Sequence, residues 1–171
     1  MIFESGLSYM LTYVLTLICV FLGVYVGALL AFIAPEELKP GRNYFRAFEN
    51  TLLVFIILIL LYAYGAHLAV LILLGIALSI FLYYTTSTIL VNQVAYLLLG
   101  IVFYFSLKTT DLFITISAMI FLYGLPLGSL YVAQVTKKSK KTILTDLLLN
   151  FGFFVVVALV TNLFALYLMN L

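Results

Sequence analysis

The chain has 171 residues and a net charge of only +2, and 67% of its residues are apolar while 8% are charged. A soluble domain has about 25% charged residues and, at this length, buries only about 70% of the surface that its unfolded chain exposes. Such a domain could not hide this much apolar surface, and the mean hydropathy of +1.31 agrees. The composition therefore excludes an ordinary soluble fold and predicts an integral protein of the cell membrane, with the lipid bilayer as its first partner. Nucleic acid is not an expected partner, because four lysines in one short loop are a sparse electrostatic footprint.

The first apolar segment covers residues 7–34, which is long enough to cross about 30 Å of hydrocarbon. Glu4 precedes it where a secretory signal would carry Lys or Arg, so we expect a retained first span. Cys19 lies inside this span without a second cysteine, and it is expected to be a small apolar residue of the core.

A charged loop, residues 35–46, follows the first span. Pro35 is suited to the start of a short helix, and Pro40-Gly41 is expected to end it. Arg46 and Glu49 then lie three residues apart on one helix face as the chain returns to the membrane. The loop is interpreted as a turn whose basic residues meet lipid headgroups, and the alternative is a docking surface for a cytosolic partner. Together with the second basic loop, 136–142, the headgroup and topology residues are Lys39, Arg42, Arg46, Lys137, Lys138, Lys140 and Lys141.

The number of spans depends on one run of 58 residues, from Asn50 to Leu107, that contains no Asp, Glu, Lys or Arg. It could hold two overlong spans or three of ordinary length. Because cytoplasmic loops collect Lys and Arg, both basic loops should lie on the same side, and only three spans in this run place them there. We therefore predict a single all-α membrane domain over residues 1–171 with six transmembrane helices and both termini on the non-cytoplasmic side. The predicted spans are residues 7–34, 47–64, 66–86, 89–107, 112–135 and 143–169.

The fifth span contains the sequence YGLPLGS, residues 123–129, which concentrates weak helix formers at mid-membrane. Pro126 has no N–H for the carbonyl of Leu122, so the helix should kink there and leave that carbonyl in need of a partner. The nearest off-interface hydroxyls in predicted depth are those of Tyr25 and Tyr123. One interpretation is a kinked and tightly packed bundle, and the other is a broken helix beside a solute pathway.

Glycines fall near the middle of every predicted span except the second. In lipid they allow close backbone approach between helices, which supports the packing interpretation. The predicted packing residues are Gly23, Gly27, Gly75, Gly100, Gly124, Gly128 and Gly152.

Polar side chains gather at the cytoplasmic ends of two predicted spans. Asp146 and Asn150 lie one turn apart at the start of the last span, and Asn92 and Gln93 open the fourth. Asp146 is either a charge that complements the helix amino end or part of a cation or proton site. With Tyr25, Leu122, Tyr123 and Pro126, these four residues form the candidate solute or ion pathway.

No catalytic motif is present: the sequence has no Gly-x-Ser-x-Gly elbow, no HExxH and no phosphate-binding loop. With one Cys and one His, neither a metal centre nor a cofactor is expected, and an enzyme is disfavoured. The sequence predicts a small multi-pass protein that transports a small solute or ion, or the membrane subunit of a transporter. The alternative is a non-catalytic accessory subunit, and the expected protein partners are further copies of the chain or other membrane subunits.

Overall fold

The computed structural model describes residues 6–85, 89–135 and 139–169, and within these ranges it is helical and contains no strand. This confirms the prediction of an all-α protein. The helices are α1 (Gly6–Ile33), α2 (Leu38–Ala63), α3 (Leu68–Tyr84), α4 (Ile89–Phe105), α5 (Thr110–Gln134), α6 (Lys140–Phe151) and α7 (Phe153–Met169), with short 3₁₀ turns at Pro35–Glu37 and Ser106–Lys108.

Five segments of the described chain are long and apolar enough to cross a membrane. They are Met10–Ile33, Pro40–Ala63, Val91–Lys108, Thr110–Gln134 and Lys140–Ala165, and the shorter apolar helix α3 has 17 residues. This set of helices indicates an integral membrane protein. Cys19 lies on the exposed surface of α1, so the expectation that it belongs to the core is wrong.

The beginning of α2 differs from the sequence-based expectation. A 3₁₀ turn does open at Pro35, but α2 then starts at Leu38 and continues through Pro40 and Gly41, which were expected to end a helix. The physical reason is that Pro40 lies in the first turn of α2, where backbone N–H groups have no intrahelical acceptor to lose. Glu49 consequently lies well inside α2 rather than at its first turn.

The turn between α2 and α3 depends on one glycine. Gly65 has a φ of 87°, a conformation that residues with a Cβ rarely adopt. Its N–H donates to the Tyr62 carbonyl, and the next N–H, that of Ala66, donates to the Leu61 carbonyl. The chain therefore reverses tightly after α2, and α3 packs back against it.

Helix α5 is continuous from Thr110 to Gln134 with Pro126 inside it, so the predicted kink does not interrupt the helix. The break falls instead in the last span, where Gly152 separates α6 from α7 although one helix over residues 143–169 was expected. The N-terminal ends of α5 and α6 are capped by side chains, because the Thr109 and Ser139 hydroxyl oxygens each accept a hydrogen bond from the backbone N–H three residues on.

Contacts between the helices fix their directions. Helices α1 and α5 are parallel, since Gly23 lies against Phe121 and Gly27 lies against Leu125. Helices α2 and α3 are antiparallel, and Gly75 of α3 lies beside the Leu58 side chain of α2.

Helix α4 is parallel to α6 and α7. The Gln93 amide meets Asn150 at its start, and Gly100 lies against Phe154 further along. It is antiparallel to α5, because Tyr96 stacks on Tyr123 while Phe103 of α4 packs on Phe113 of α5.

Helix α2 is antiparallel to α5, because Tyr123 of α5 contacts Glu49 while Lys108, just before α5, donates to the carbonyl of Ala63 at the end of α2. The helices α1, α3 and α5 thus run one way and α2, α4 and α6–α7 run the other. Both basic loops meet at one end of the bundle, where the Lys140 ammonium lies 5.4 Å from the centre of the Phe32 ring. We call this end the basic end. Lys137 and Lys138 lie outside the described residues, as does the side chain of Lys39.

Candidate functional site

A buried carboxyl group lies inside the bundle, between α2 and α5. Glu49 of α2 is only 3% exposed, and its Oε1 accepts a hydrogen bond of 3.2 Å from the Tyr123 hydroxyl of α5. Tyr123 is 13 residues beyond Thr110 and 11 before Gln134, the two ends of α5. Measured along α5, Glu49 is therefore level with the centre of that helix, whereas α3 ends at Tyr84 and α4 begins at Ile89 beside it. The carboxyl group thus lies inside the bundle, between its middle and its basic end.

A cluster of aromatic rings extends from Tyr123, away from its contact with Glu49. Tyr123 stacks on Tyr96 with ring centres 6.1 Å apart and planes 13° from parallel, and Tyr96 packs in turn on Phe151 and Phe154. The Tyr96 hydroxyl is fully buried and has no hydrogen-bond partner among the described residues. Because an unsatisfied buried hydroxyl is unfavourable, this group is a place where a water molecule or ligand would be stabilised.

Glu49 also lines a small recess between α2, α3, α4 and α5. Its polar lining consists of Glu49, Asn50, Thr85, Asn92 and Tyr123, and its volume is about 20 Å³. A site of this size has room for about one water molecule. We call it the polar recess.

A second polar network connects three helices nearer the basic end. The Gln93 amide nitrogen donates to the Asn150 side-chain oxygen at 2.8 Å, and the Asn150 amide donates to the Tyr131 hydroxyl at 2.9 Å. Asp146 lies one turn before Asn150 on α6 and is half-buried. Gln93 and Asn150 therefore belong to a network that is separate from the Glu49 site. Asn92, the residue before Gln93, lines the polar recess instead.

The hydroxyls considered for the Leu122 carbonyl are engaged elsewhere. Tyr123 donates to Glu49, and the Tyr25 hydroxyl lies 3.4 Å from the Leu144 carbonyl of α6. Leu122 itself points its side chain outward and is 40% exposed. Of the eight residues proposed for the solute pathway, only Asn92 and Tyr123 lie together at the polar recess.

The glycines of YGLPLGS belong to a close contact between α1 and α5. A Cβ added at Gly128 would lie 2.0 Å from the Val24 carbonyl oxygen, and one added at Gly27 would lie 2.1 Å from that of Leu125. The Ser129 hydroxyl donates across this contact to the Gly27 carbonyl at 2.8 Å. We call the contact formed by Gly23, Gly27, Gly124 and Gly128 the glycine interface. Close packing at this interface explains why glycines occupy these four positions, and α5 is not broken there.

The remaining glycines have less uniform surroundings. Gly100 lies against the α7 backbone, where an added Cβ would be 2.8 Å from the Phe154 carbonyl oxygen. Gly75 faces only the tip of the Leu58 side chain, at 3.1 Å. Gly152 faces the Leu148 carbonyl of its own preceding helix, so its neighbour is the turn between α6 and α7 and not another span.

Sequence reasoning did not select Glu49 or Tyr96 as site residues. Glu49 was assigned to the return of the chain into the membrane beside Arg46, because the helix was expected to begin close to it. One feature of the sequence could have identified Glu49 as a site residue. It is the third residue of predicted span 47–64, a depth comparable with that of Asp146 in its own span.

Among the described residues, no group of three or more His, Cys, Asp or Glu side chains could hold a metal ion. No protein-family model, curated protein or solved structure matches this chain.

Proposed function

We propose that the protein is a six-span transporter of a small solute or ion, or the membrane subunit of one, and that its site is centred on Glu49. The observation that carries this proposal is the burial of the Glu49 carboxyl group at the level of Tyr123. An ionisable side chain at membrane depth is unfavourable, and in membrane proteins such residues mark substrate, ion or proton pathways.

The six-span arrangement is supported by the alternating helix directions. Helix α3 has 17 residues and a length of about 25 Å, slightly less than the roughly 30 Å of a typical hydrocarbon core. A mismatch of this size is accommodated by local thinning of the bilayer. With α3 as the third crossing, the basic end is cytoplasmic and both termini are on the other side, in keeping with the positive-inside rule.

Accessibility of single cysteines tests this topology. In a Cys19→Ser background, Glu36→Cys and Lys141→Cys report on the two basic loops, and His67→Cys reports on the turn between α2 and α3. A membrane-impermeant maleimide applied to intact cells should label only His67→Cys, and the other two should react after permeabilisation. Labelling of one basic loop but not the other in intact cells would show an odd number of crossings between them.

At the site, Tyr123 holds the Glu49 carboxyl group by a hydrogen bond and Asn92 supplies an amide to the same recess. The other polar groups that line the recess are neutral, and Arg46, one turn before Glu49 on α2, acts on the carboxylate from outside this lining. A carboxylate in such a recess attracts a cation or a hydrogen-bond donor. The volume of about 20 Å³ fits a single water molecule or a monatomic cation, and it is too small for a sugar or an amino acid.

Thermal unfolding in lipid nanodiscs tests cation binding at Glu49. The probes are the chlorides of sodium, potassium, ammonium and calcium at matched ionic strength. We expect one of them to raise the Tm of the wild type in a saturable manner, and we expect Glu49→Gln to lose this shift. Glu36→Gln, which changes an exposed carboxylate at the basic end, should keep it. Equal shifts in the wild type and Glu49→Gln would exclude Glu49 as a cation site, and uptake of the same ion into proteoliposomes then tests transport directly.

The accessory-subunit alternative is favoured by one specific observation, the exposure of α3. Leu71 is the one residue of α3 that is buried, while Ile72, Leu73 and Phe81 are among those more than half exposed. Native mass spectrometry of the untagged protein in a mild detergent separates the two proposals. A defined complex with other polypeptides supports the accessory subunit, and a lone chain or homo-oligomer with a retained small molecule supports transport.

A further inference from the structure

An apolar groove lies between α2, α3 and α4 and has a volume of about 350 Å³. Eleven of its twelve lining residues are apolar, and the exception is Thr85. This volume lies in the range of small-molecule sites. Two of the lining side chains, Leu98 and Phe81, are 52% and 63% exposed, so the groove opens toward the surface that lipid covers.

The apolar groove and the polar recess form one continuous site. They share five lining residues, which are Leu53, Leu82, Thr85, Val91 and Ala95. The recess is therefore the polar end of the groove, and Glu49, Asn50 and Asn92 are polar residues that line the recess but not the groove. From Val91 to Val102 the groove follows α4 for about 16 Å, which is long enough for an extended alkyl chain.

The charges of the site determine the kind of headgroup that fits. Glu49 is the ionisable acid in the lining of the recess, and no Lys or Arg appears among the described residues that line the recess or the groove. Arg46, one turn before Glu49 on α2, interacts electrostatically with the carboxylate but lines neither the recess nor the groove. Inside the recess an anionic headgroup would therefore meet the carboxylate with no cation in the lining, whereas a protonated amine would form a charge-assisted hydrogen bond with it. The small volume of the recess favours a primary amine over a phosphate-containing headgroup.

We propose that the groove and recess bind a single-chain amphiphile with a primary amine headgroup, the amine on Glu49 and the alkyl chain along α4. This inference rests on the proposed function, because it names the substrate class of the same site. It also gives the ligand a route, since a molecule already dissolved in the bilayer enters the groove from its lipid-exposed side.

A photoreactive dodecylamine with a diazirine at the end of its chain tests the inference on the full-length protein in nanodiscs. We expect crosslinks on α4 near Leu98 and Val102, and we expect competition by unlabelled dodecylamine. Dodecanoate and ethylamine, which lack the amine and the long chain respectively, should compete weakly. Crosslinks spread evenly over all exposed helices, or equal competition by dodecanoate, would overturn the inference.

Two variants locate the headgroup and the chain. Glu49→Gln should weaken dodecylamine competition by about tenfold or more, since it removes a hydrogen bond to a charged group. Ala95→Phe should fill the groove and abolish labelling there, and Ala118→Phe is its matched control on the exposed surface of α5. Unchanged labelling in both Glu49→Gln and Ala95→Phe would also overturn the inference.

Failure of this inference is distinguishable from failure of the proposed function. If dodecylamine labels the groove but a fluorescent alkylamine is not moved between the leaflets of proteoliposomes, the binding site stands and the transport proposal fails. If the groove is not labelled but one inorganic cation stabilises the wild type through Glu49, the proposed function stands and the amphiphile is the wrong substrate class.

Discussion

The two sides of this bundle are built in opposite ways. At the glycine interface, α1 and α5 run parallel and approach so closely that their backbones are in contact. On the side of α2, α3 and α4, helix α3 packs mainly on α2, and a groove of about 350 Å³ remains open along α4. A groove of similar volume lies between α1, α2 and α5 toward the basic end, where Phe45 and Pro126 are among the residues that line it. Both sides consist of apolar helices, so the difference arises from glycine spacing and not from hydrophobicity.

This contrast has a physical basis in the membrane. Lipid tails are as apolar as Leu, so no hydrophobic force draws helices together, and close van der Waals contact with interhelical hydrogen bonds supplies the stability. The glycine interface provides both, through Gly27, Gly128 and the Ser129 hydroxyl. The groove provides neither, and a region that lacks them is able to admit a ligand without loss of the main helix contacts.

Substitution of Gly128 should have the largest effect on this contrast. In Gly128→Ala the new Cβ would lie 2.0 Å from the Val24 carbonyl oxygen, so α1 and α5 must separate. We expect a loss of about 3 kcal/mol or more, measured by reversible unfolding in mixed micelles, because backbone atoms cannot yield as a side-chain tip does. The matched control is Gly75→Ala, which meets only the flexible end of Leu58 and should change stability by less than about 0.5 kcal/mol. Similar losses in the two variants would mean that the glycine interface is not the more tightly packed region.

The glycine interface illustrates what sequence could predict and why. Gly23 and Gly27 share a spacing of four with Gly124 and Gly128, and such spacing places small residues on one helix face. The membrane class and the helical fold followed in the same way from local composition. The parallel pairing of α1 with α5 did not, because it depends on contacts between segments about 100 residues apart.

The Glu49 site shows more clearly what the sequence alone could not predict. The sequence placed Glu49 beside Arg46 at the membrane surface, since neither its burial nor its neighbour is encoded within a few residues of it. Its partner Tyr123 is 74 positions away in the chain and belongs to α5. The continuation of α2 through Pro40 and Gly41 also carries Glu49 deeper into a helix than the predicted loop allowed. Only the packing of four helices brings Glu49, Asn92 and Tyr123 to one recess.

The hydrogen bond between Tyr123 and Glu49 should have the next largest effect. Tyr123→Phe leaves the buried carboxyl group without this donor, and we expect a loss of about 1–2 kcal/mol in the free energy of unfolding. Tyr62→Phe is the matched control, because Tyr62 is 68% exposed. A double-mutant cycle with Glu49→Gln isolates the pair, and a coupling energy near zero would show that the two side chains stabilise the protein independently.

The Ser129 hydroxyl should contribute less. Its hydrogen bond to the Gly27 carbonyl crosses the glycine interface, and hydrogen bonds between membrane helices average about 0.6 kcal/mol. We expect Ser129→Ala to destabilise by about this amount. Ser79→Ala removes a hydroxyl whose hydrogen bond stays within α3, so it should cost less. A larger loss of unfolding free energy for Ser79→Ala than for Ser129→Ala would contradict this expectation. It would mean that α3 contributes more to stability than its contacts indicate.

Replacement of Pro126 should have the smallest effect. The helix already continues through Pro126, and Pro126→Ala restores an N–H one turn after the Leu122 carbonyl, which gains a hydrogen bond. The same change removes part of a buried ring of α5, which loses apolar contact. We expect the two effects to offset each other within about 0.5 kcal/mol, measured by the same unfolding assay with Leu122→Ala as an exposed control. A loss above about 1.5 kcal/mol would mean that the proline sets the shape by which α5 fits α1, since packing strain on that scale is what a misfitted core produces.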